Sequence, residues 1–159
     1  MLTTMTYNPD SGIILNEIDL KWYIEREVAR NLLGNSHTPA DQTIEGTGIH
    51  QQRDIYENYN NQENYFFLNY NSNRLSEIEI HNGFEITIKK IVLSFDKNIS
   101  EIISELQTIS PEPEDIITGE YFFKELKLSI ADAEAMGGDG NHLSYFYCAA
   151  NTDHLINKR

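Results

Sequence analysis

Cysteine is nearly absent from this chain: Cys148 stands alone among 159 residues. No internal disulfide can form, so the fold has to rest on a packed core, and the composition suits a reducing compartment. A chain of this length can build one such core without a metal staple. Long apolar runs are missing too, which excludes a transmembrane helix. Met1 to Gly12 lacks a basic start followed by an apolar stretch, so no secretory signal is expected, and the expected location is cytoplasmic. Positive charge is scarce: 12 Lys and Arg face 25 Asp and Glu, a net charge of −13. Such a surface repels phosphate backbones and anionic lipid, so neither direct nucleic-acid binding nor membrane binding is expected. It attracts cationic proteins and speeds their arrival.

Signatures of chemistry are also missing. The histidines His37, His50, His81, His142 and His154 include no i, i+4 pair, and no second cysteine exists to complete a thiolate site. No metal and no cofactor is therefore expected. Cys148 lies between Tyr147 and Ala149 in an apolar segment, where a thiol is buried and inert rather than activated. Ser144 lacks the flanking glycines of a nucleophile elbow. The glycine-rich loop Ala135 to His142 joins two strands and brings no lysine to a phosphate, and Leu143 stands where a calcium loop needs glutamate. It reads as a hairpin tip. His81 reads as a solvated strand residue. No catalytic residue is expected, and the chain is not expected to be an enzyme.

What is present is a succession of short amphipathic elements. Gly12 to Leu15 reads as a strand, and Lys21 to Leu33 as a helix with Ile24, Val28, Leu32 and Leu33 on one stripe and Gly34 as its stop. The segment 35–48 is turn-rich. Strands follow at Asp54 to Tyr59, Tyr65 to Tyr70 and Leu75 to His81. Ile78 and Ile80, then Phe84, Ile86 and Ile88, alternate with polar residues around Asn82-Gly83, which predicts a two-residue hairpin. Ile91 to Phe95 is extended. Asn98 and Glu101 form a capping box for a second helix with Ile99, Ile102, Ile103, Leu106 and Ile109 on one face. Ser110 to Asp115 is an acidic loop, Tyr121 to Ile130 one long strand, and Leu143 to Ala150 its partner. The segments Ile13 to Tyr70 and Ile91 to Ala150 share this order, which suggests two similar halves. The expected fold class is α+β: antiparallel sheet of about seven strands with two amphipathic helices on one face. One domain is expected over 1–159, with a flexible leader over about 1–11 and a mobile tail over about 152–159.

The tyrosines suggest where a partner sits. Tyr56, Tyr59, Tyr65 and Tyr70 fall close together, and tyrosine is favoured at interface centres because it offers large area with few rotors. Carboxylates lie nearby at Asp54 and Glu57, and on the outer side of the predicted hairpin at Glu77, Glu79 and Glu85. The expected partner-binding set is Asp54, Tyr56, Glu57, Tyr59, Glu77, Glu79 and Glu85, with Asp139 in the glycine-rich loop as a further member.

Two resemblances accompany these residues. The segment Leu20-Lys21-Trp22-Tyr23-Ile24-Glu25-Arg26-Glu27-Val28-Ala29-Arg30-Asn31-Leu32-Leu33-Gly34 resembles the opening helix of beta-lactamase-inhibitor-like modules, except that Tyr23 stands where that pattern usually has glycine. In size, acidity and lack of an active site, the whole chain resembles the immunity proteins of bacterial contact-dependent inhibition and related polymorphic toxin systems. That resemblance implies a cytoplasmic protein that binds a basic cognate toxin domain, commonly a nuclease, and covers its active site. It carries over no functional residue. A non-catalytic small-ligand-binding or structural accessory domain is the alternative, with a carboxylate-dependent hydrolase third.

Overall fold

The computed structural model describes residues 2–46 and 49–156. The chain opens with β1 (Thr3–Asn8), then the hairpin β2 (Gly12–Leu15) and β3 (Ile18–Lys21), and helix α1 (Arg26–Leu32). It continues through β4 (Thr38–Pro39), β5 (Gln42–Ile44), β6 (Ile49–Glu57), β7 (Tyr65–Asn71) and β8 (Arg74–Asn82). A second series repeats that order: hairpin β9 (Phe84–Ile88) and β10 (Ile91–Ser94), helix α2 (Ile99–Leu106), and β11 (Glu114–Ile117), β12 (Glu120–Phe123), β13 (Leu128–Asp132) and β14 (Leu143–Ala149), closed by α3 (Asp153–Ile156). The fold is α+β, with a five-stranded sheet ordered β10-β9-β1-β2-β3 and a nine-stranded sheet ordered β11-β12-β13-β14-β8-β7-β6-β4, to which β5 adds on β6. All pairs are antiparallel except β1 with β9.

The register reveals an internal two-fold. Met5 lies between Leu15 and Ile86, and Tyr7 between Ile13 and Ile88, so a half-turn about Thr6 exchanges β2 with β9. In the larger sheet Glu79 lies opposite Tyr147, Ile78 opposite Cys148 and Ile80 opposite Phe146, so a half-turn about Glu79 and Tyr147 exchanges β8 with β14. Backbone hydrogen bonds repeat as well. Arg26 N–H donates to Asn73 O and Leu75 N–H to Ile24 O; in the second half Ile99 N–H donates to Asn141 O and Leu143 N–H to Lys97 O. Glu25 bridges Arg74 as Asn98 bridges His142. The two halves are therefore similar in detail, and β1 is a strand on the axis with no counterpart.

One core lies between the sheets. Met5, Tyr7, Leu15, Leu20, Ile86 and Leu93 of the smaller sheet share it with Phe66, Leu68, Ile78, Ile80, Ile130 and Phe146 of the larger. Tyr7 meets Phe146 edge-on at 6.0 Å, and Phe66 meets Phe84 at 5.1 Å. Ala29 and Leu33 of the first half, and Ile99, Ile102 and Leu106 of the second, enter the same core from the helices.

Several expectations need correction. The predicted hairpin at Asn82-Gly83 is a corner where the chain leaves one sheet for the other: β8 pairs with β7 and β14, whereas β9 pairs with β10 and β1. The alternation was read correctly, because both strands bury one face in the shared core, but from opposite sides of it. Glycine is required at 83 by its φ of +81° and because a Cβ there would lie 1.8 Å from Glu63 O. Two-residue hairpin turns occur instead at Asn16-Glu17, Ser72-Asn73, Lys89-Lys90 and Thr118-Gly119, where Leu15 pairs with Ile18, Asn71 with Arg74, Ile88 with Ile91 and Ile117 with Glu120. The supposed flexible leader holds β1, the centre of the five-stranded sheet. Helix α1 begins at Arg26, not Lys21, because the β2–β3 hairpin runs through Lys21, and Val28 and Leu32 of the expected stripe are exposed. The single strand Tyr121 to Ile130 is a tight pair, β12 and β13, folded about a 3-10 turn at Lys124–Leu126. Within the turn-rich segment 35–48, β4 and β5 form; Gly48 lies outside the described residues, as do the last three residues of the tail. Asn98 caps α2 by accepting from Ser100 N–H at 2.8 Å.

Candidate partner-binding face

The inner face of the nine-stranded sheet is committed to the core, which leaves its outer face to be read residue by residue. Strand alternation puts Arg53, Ile55 and Glu57 of β6 on that face, with Tyr65, Phe67 and Asn69 of β7, Glu77, Glu79 and His81 of β8, and Tyr145 and Tyr147 of β14. Cross-strand neighbours then meet. Glu79 Oε2 accepts from Arg53 Nη2 and Asn69 Nδ2, both at 2.7 Å, and its Oε1 accepts from the Tyr145 hydroxyl at 2.8 Å. Glu77 accepts from the Tyr147 hydroxyl, and His154 Nε2 of α3 lies 3.4 Å from the same carboxylate oxygen. The two-fold exchanges these Tyr–Glu bonds: carboxylates stand on β8 where tyrosines stand on β14.

Aromatic rings complete the face. Arg53 lies 4.6 Å over the Phe67 ring. His81 is packed among Phe67 at 4.8 Å, Tyr145 at 5.4 Å and Tyr65 at 5.5 Å. The imidazole is thus half-buried rather than solvated as expected, and burial pushes its pKa down. Its Nε2 is buried without a hydrogen-bond partner among the described residues. Burial and the adjoining carboxylates Glu79 and Glu77 push the Tyr145 and Tyr147 phenols up, so both remain donors throughout the neutral range.

The expected partner-binding residues divide. Glu57, Glu77 and Glu79 lie on this face, Glu57 exposed and the other two half-buried. Glu85 lies on the outer side of the five-stranded sheet, between Thr4 and Ser94. Asp139 is exposed in the loop between β13 and β14. Tyr59 packs edge-on against Tyr56 and Phe66 at the sheet's rim. Asp54 and Tyr56 are corrected outright: at 0% and 1% exposure both point into the core and cannot meet a partner. Arg53, Tyr65, Phe67, His81, Tyr145 and Tyr147 also lie on this face and were not among the expected residues; Phe67 and Tyr147 are largely buried in it. The available signal was the phase of β6, obscured because apolar Ile55 faces outward.

Asp54 serves the fold. It accepts from Arg26 at 2.6 Å and Arg30 at 2.8 Å, and Arg26 also reaches Asp41 at 2.7 Å, tying α1 to β6 and the loop before β5. Burial pushes the Asp54 carboxyl up, but the Arg30 and Arg26 hydrogen bonds outweigh it and leave the pKa lowered. In the second half, register puts Ile99, Ile103 and Tyr121 where Arg26, Arg30 and Asp54 stand in the first. The same helix is thus docked once by charge and once by apolar contact.

Cys148 is buried in the core and its thiol is pushed well up by burial. Among the described residues no group of three or more His, Cys, Asp and Glu is arranged to hold a metal ion, and no helix is long and apolar enough to cross a membrane. No protein-family model, curated protein or solved structure matches the chain.

Proposed function

We propose that this chain is an inhibitor of the immunity-protein kind, which binds a basic toxin domain through the outer face of its nine-stranded sheet. One observation carries the reading: Tyr65, Phe67, His81, Tyr145 and Tyr147 cluster on one face, where Glu79 and Glu77 hold the Tyr145 and Tyr147 hydroxyls and Arg53 and Asn69 hold Glu79. Aromatic side chains held by their own hydrogen bonds lose little freedom on binding, which is the economy of a preorganised interface. The charge of −13 selects a cationic partner, and a nuclease, whose groove accepts phosphate, is the class such a surface complements. Inhibition then follows from exclusion of substrate, with no chemistry on this chain. Cytoplasmic residence belongs to the same reading, supported by the lone buried thiol.

Glu77 and Glu79 hold the face together, so charge reversal there would dismantle it. The test instead uses Glu57→Lys with Tyr65→Ala, and Glu85→Lys on the other sheet as control, as baits in native cytosol containing the toxin. A basic protein should be captured stoichiometrically by wild type and by Glu85→Lys, be released by salt, and be lost from the double variant. Loss with Glu85→Lys and retention by the double variant would move the interface to the smaller sheet.

A further inference from the structure

Tyr23 is 57% exposed, yet its φ is +69°, in the left-handed region that a bulky aromatic residue rarely occupies. The two-fold shows that the connection does not demand this. Asp96 holds the same place between β10 and α2, and its φ is not in that region. The strain is thus specific to the first half, where two hydrogen bonds fix it: Tyr23 N–H donates to Leu75 O at 2.9 Å, and Arg74 Nη1 donates to Tyr23 O at 3.3 Å. Backbone strain retained at an exposed side chain points to a task for that side chain.

Tyr23 borders a cleft of about 720 Å³ at the edge of the outer face, whose lining also includes Asn69, Arg74, Ser76, Glu77, Asp153 and His154. An aromatic ring therefore shares one concavity with two carboxylates, Glu77 and Asp153. The Arg74 guanidinium in the same lining is engaged elsewhere, with Glu25 at 3.3 Å and with Tyr23 O. A cation held between a ring and a carboxylate already exists on this face: Arg53 lies over Phe67 while donating to Glu79. We propose that the cleft takes one arginine or lysine side chain of the protein partner, with the Tyr23 ring against the cation and Glu77 and Asp153 neutralising it. The inference rests on the reading of the outer face as the partner-binding surface and names the basic anchor that completes it.

The test uses the full chain, labelled with ¹⁵N and titrated with acetyl-Gly-Arg-Gly-amide, and with the same peptide carrying citrulline as the uncharged control. Amide shifts should cluster at Tyr23, Asn71, Ser76 and Asn151 with the arginine peptide alone. They should vanish in Tyr23→Gly, while the melting temperature of that variant rises by roughly 2–4 °C as the strain is relieved. Asp153→Lys, in the same lining, should also abolish the shifts. Shifts scattered over the acidic surface, equal shifts with citrulline, or a lowered melting temperature for Tyr23→Gly would each overturn the proposal. The titration needs no toxin, so it fails independently of the capture experiment. Capture lost with Glu57→Lys/Tyr65→Ala but a silent cleft would leave the face and remove the anchor.

Discussion

Glu79 accepts hydrogen bonds from Arg53, Asn69 and Tyr145, and Tyr145 and Tyr147 are kept protonated by burial and by the carboxylates they serve. The same direction holds for Tyr7, Tyr56 and Tyr70 in the core, where burial is the largest cause. A phenol whose folded pKa is raised keeps its proton longer in the native state than in the unfolded chain. Its contribution to stability is complete below the unfolded value of about 10 and is lost as pH rises beyond it. Absorbance at 295 nm should therefore show these five rings ionising in one cooperative step that coincides with loss of circular dichroism; smooth independent titration would contradict the burial. At this scale the sequence was half legible. Glu77 and Glu79 alternate with Ile78 and Ile80, so their outward side could be read directly. Asp54 could not: a carboxylate is driven into a core only by a distant cation, and Arg26 and Arg30 lie on another element.

Helix α1 and helix α2 occupy equivalent places, but Arg26, Arg30 and Asp54 do in one half what Ile99, Ile103 and Tyr121 do in the other. Replacing Asp54 alone by alanine strands two guanidinium groups and should cost about 3 kcal/mol. The triple change Arg26→Ile, Arg30→Ile, Asp54→Tyr copies the second half and should recover most of that loss, as read by urea unfolding. A triple variant no better than the single one would show that the two sites are not interchangeable. The wild-type ion pairs also carry an acid limit. Asp54 and Asp41 have lowered pKa values, so their contribution is present above the unfolded carboxylate value and fades as pH falls through the folded one. In α1 Val28 and Leu32 keep the helical spacing but are exposed; elsewhere element periodicity was the most legible level, because alternation and helical spacing there reflect burial. Strand partners were not, since Ile78 to Ile88 reads identically whether the two strands pair with each other or face across a core.

Over the whole molecule, the excess of carboxylate sets the rate of encounter more than the strength of the contact. Association with a purified cationic partner should slow by roughly tenfold or more between about 0.05 and 0.5 M salt, while dissociation changes little; a salt-independent rate would remove steering from the account. Charge and the repeated order of elements could both be read without a structure, whereas the axis that relates the halves emerges only from register. Strand β1 lies on that axis, hydrogen-bonded to β2 on one side and to β9 on the other. Its first neighbour follows it within a few residues, but the second, β9, begins only at Phe84, so during synthesis one edge of β1 stays open while β2 to β8 emerge. An unpaired edge of alternating apolar residues invites pairing with another nascent chain until β9 arrives to close it. Crowding of ribosomes on one message should therefore lower the yield of native protein far more than equal crowding of finished chains.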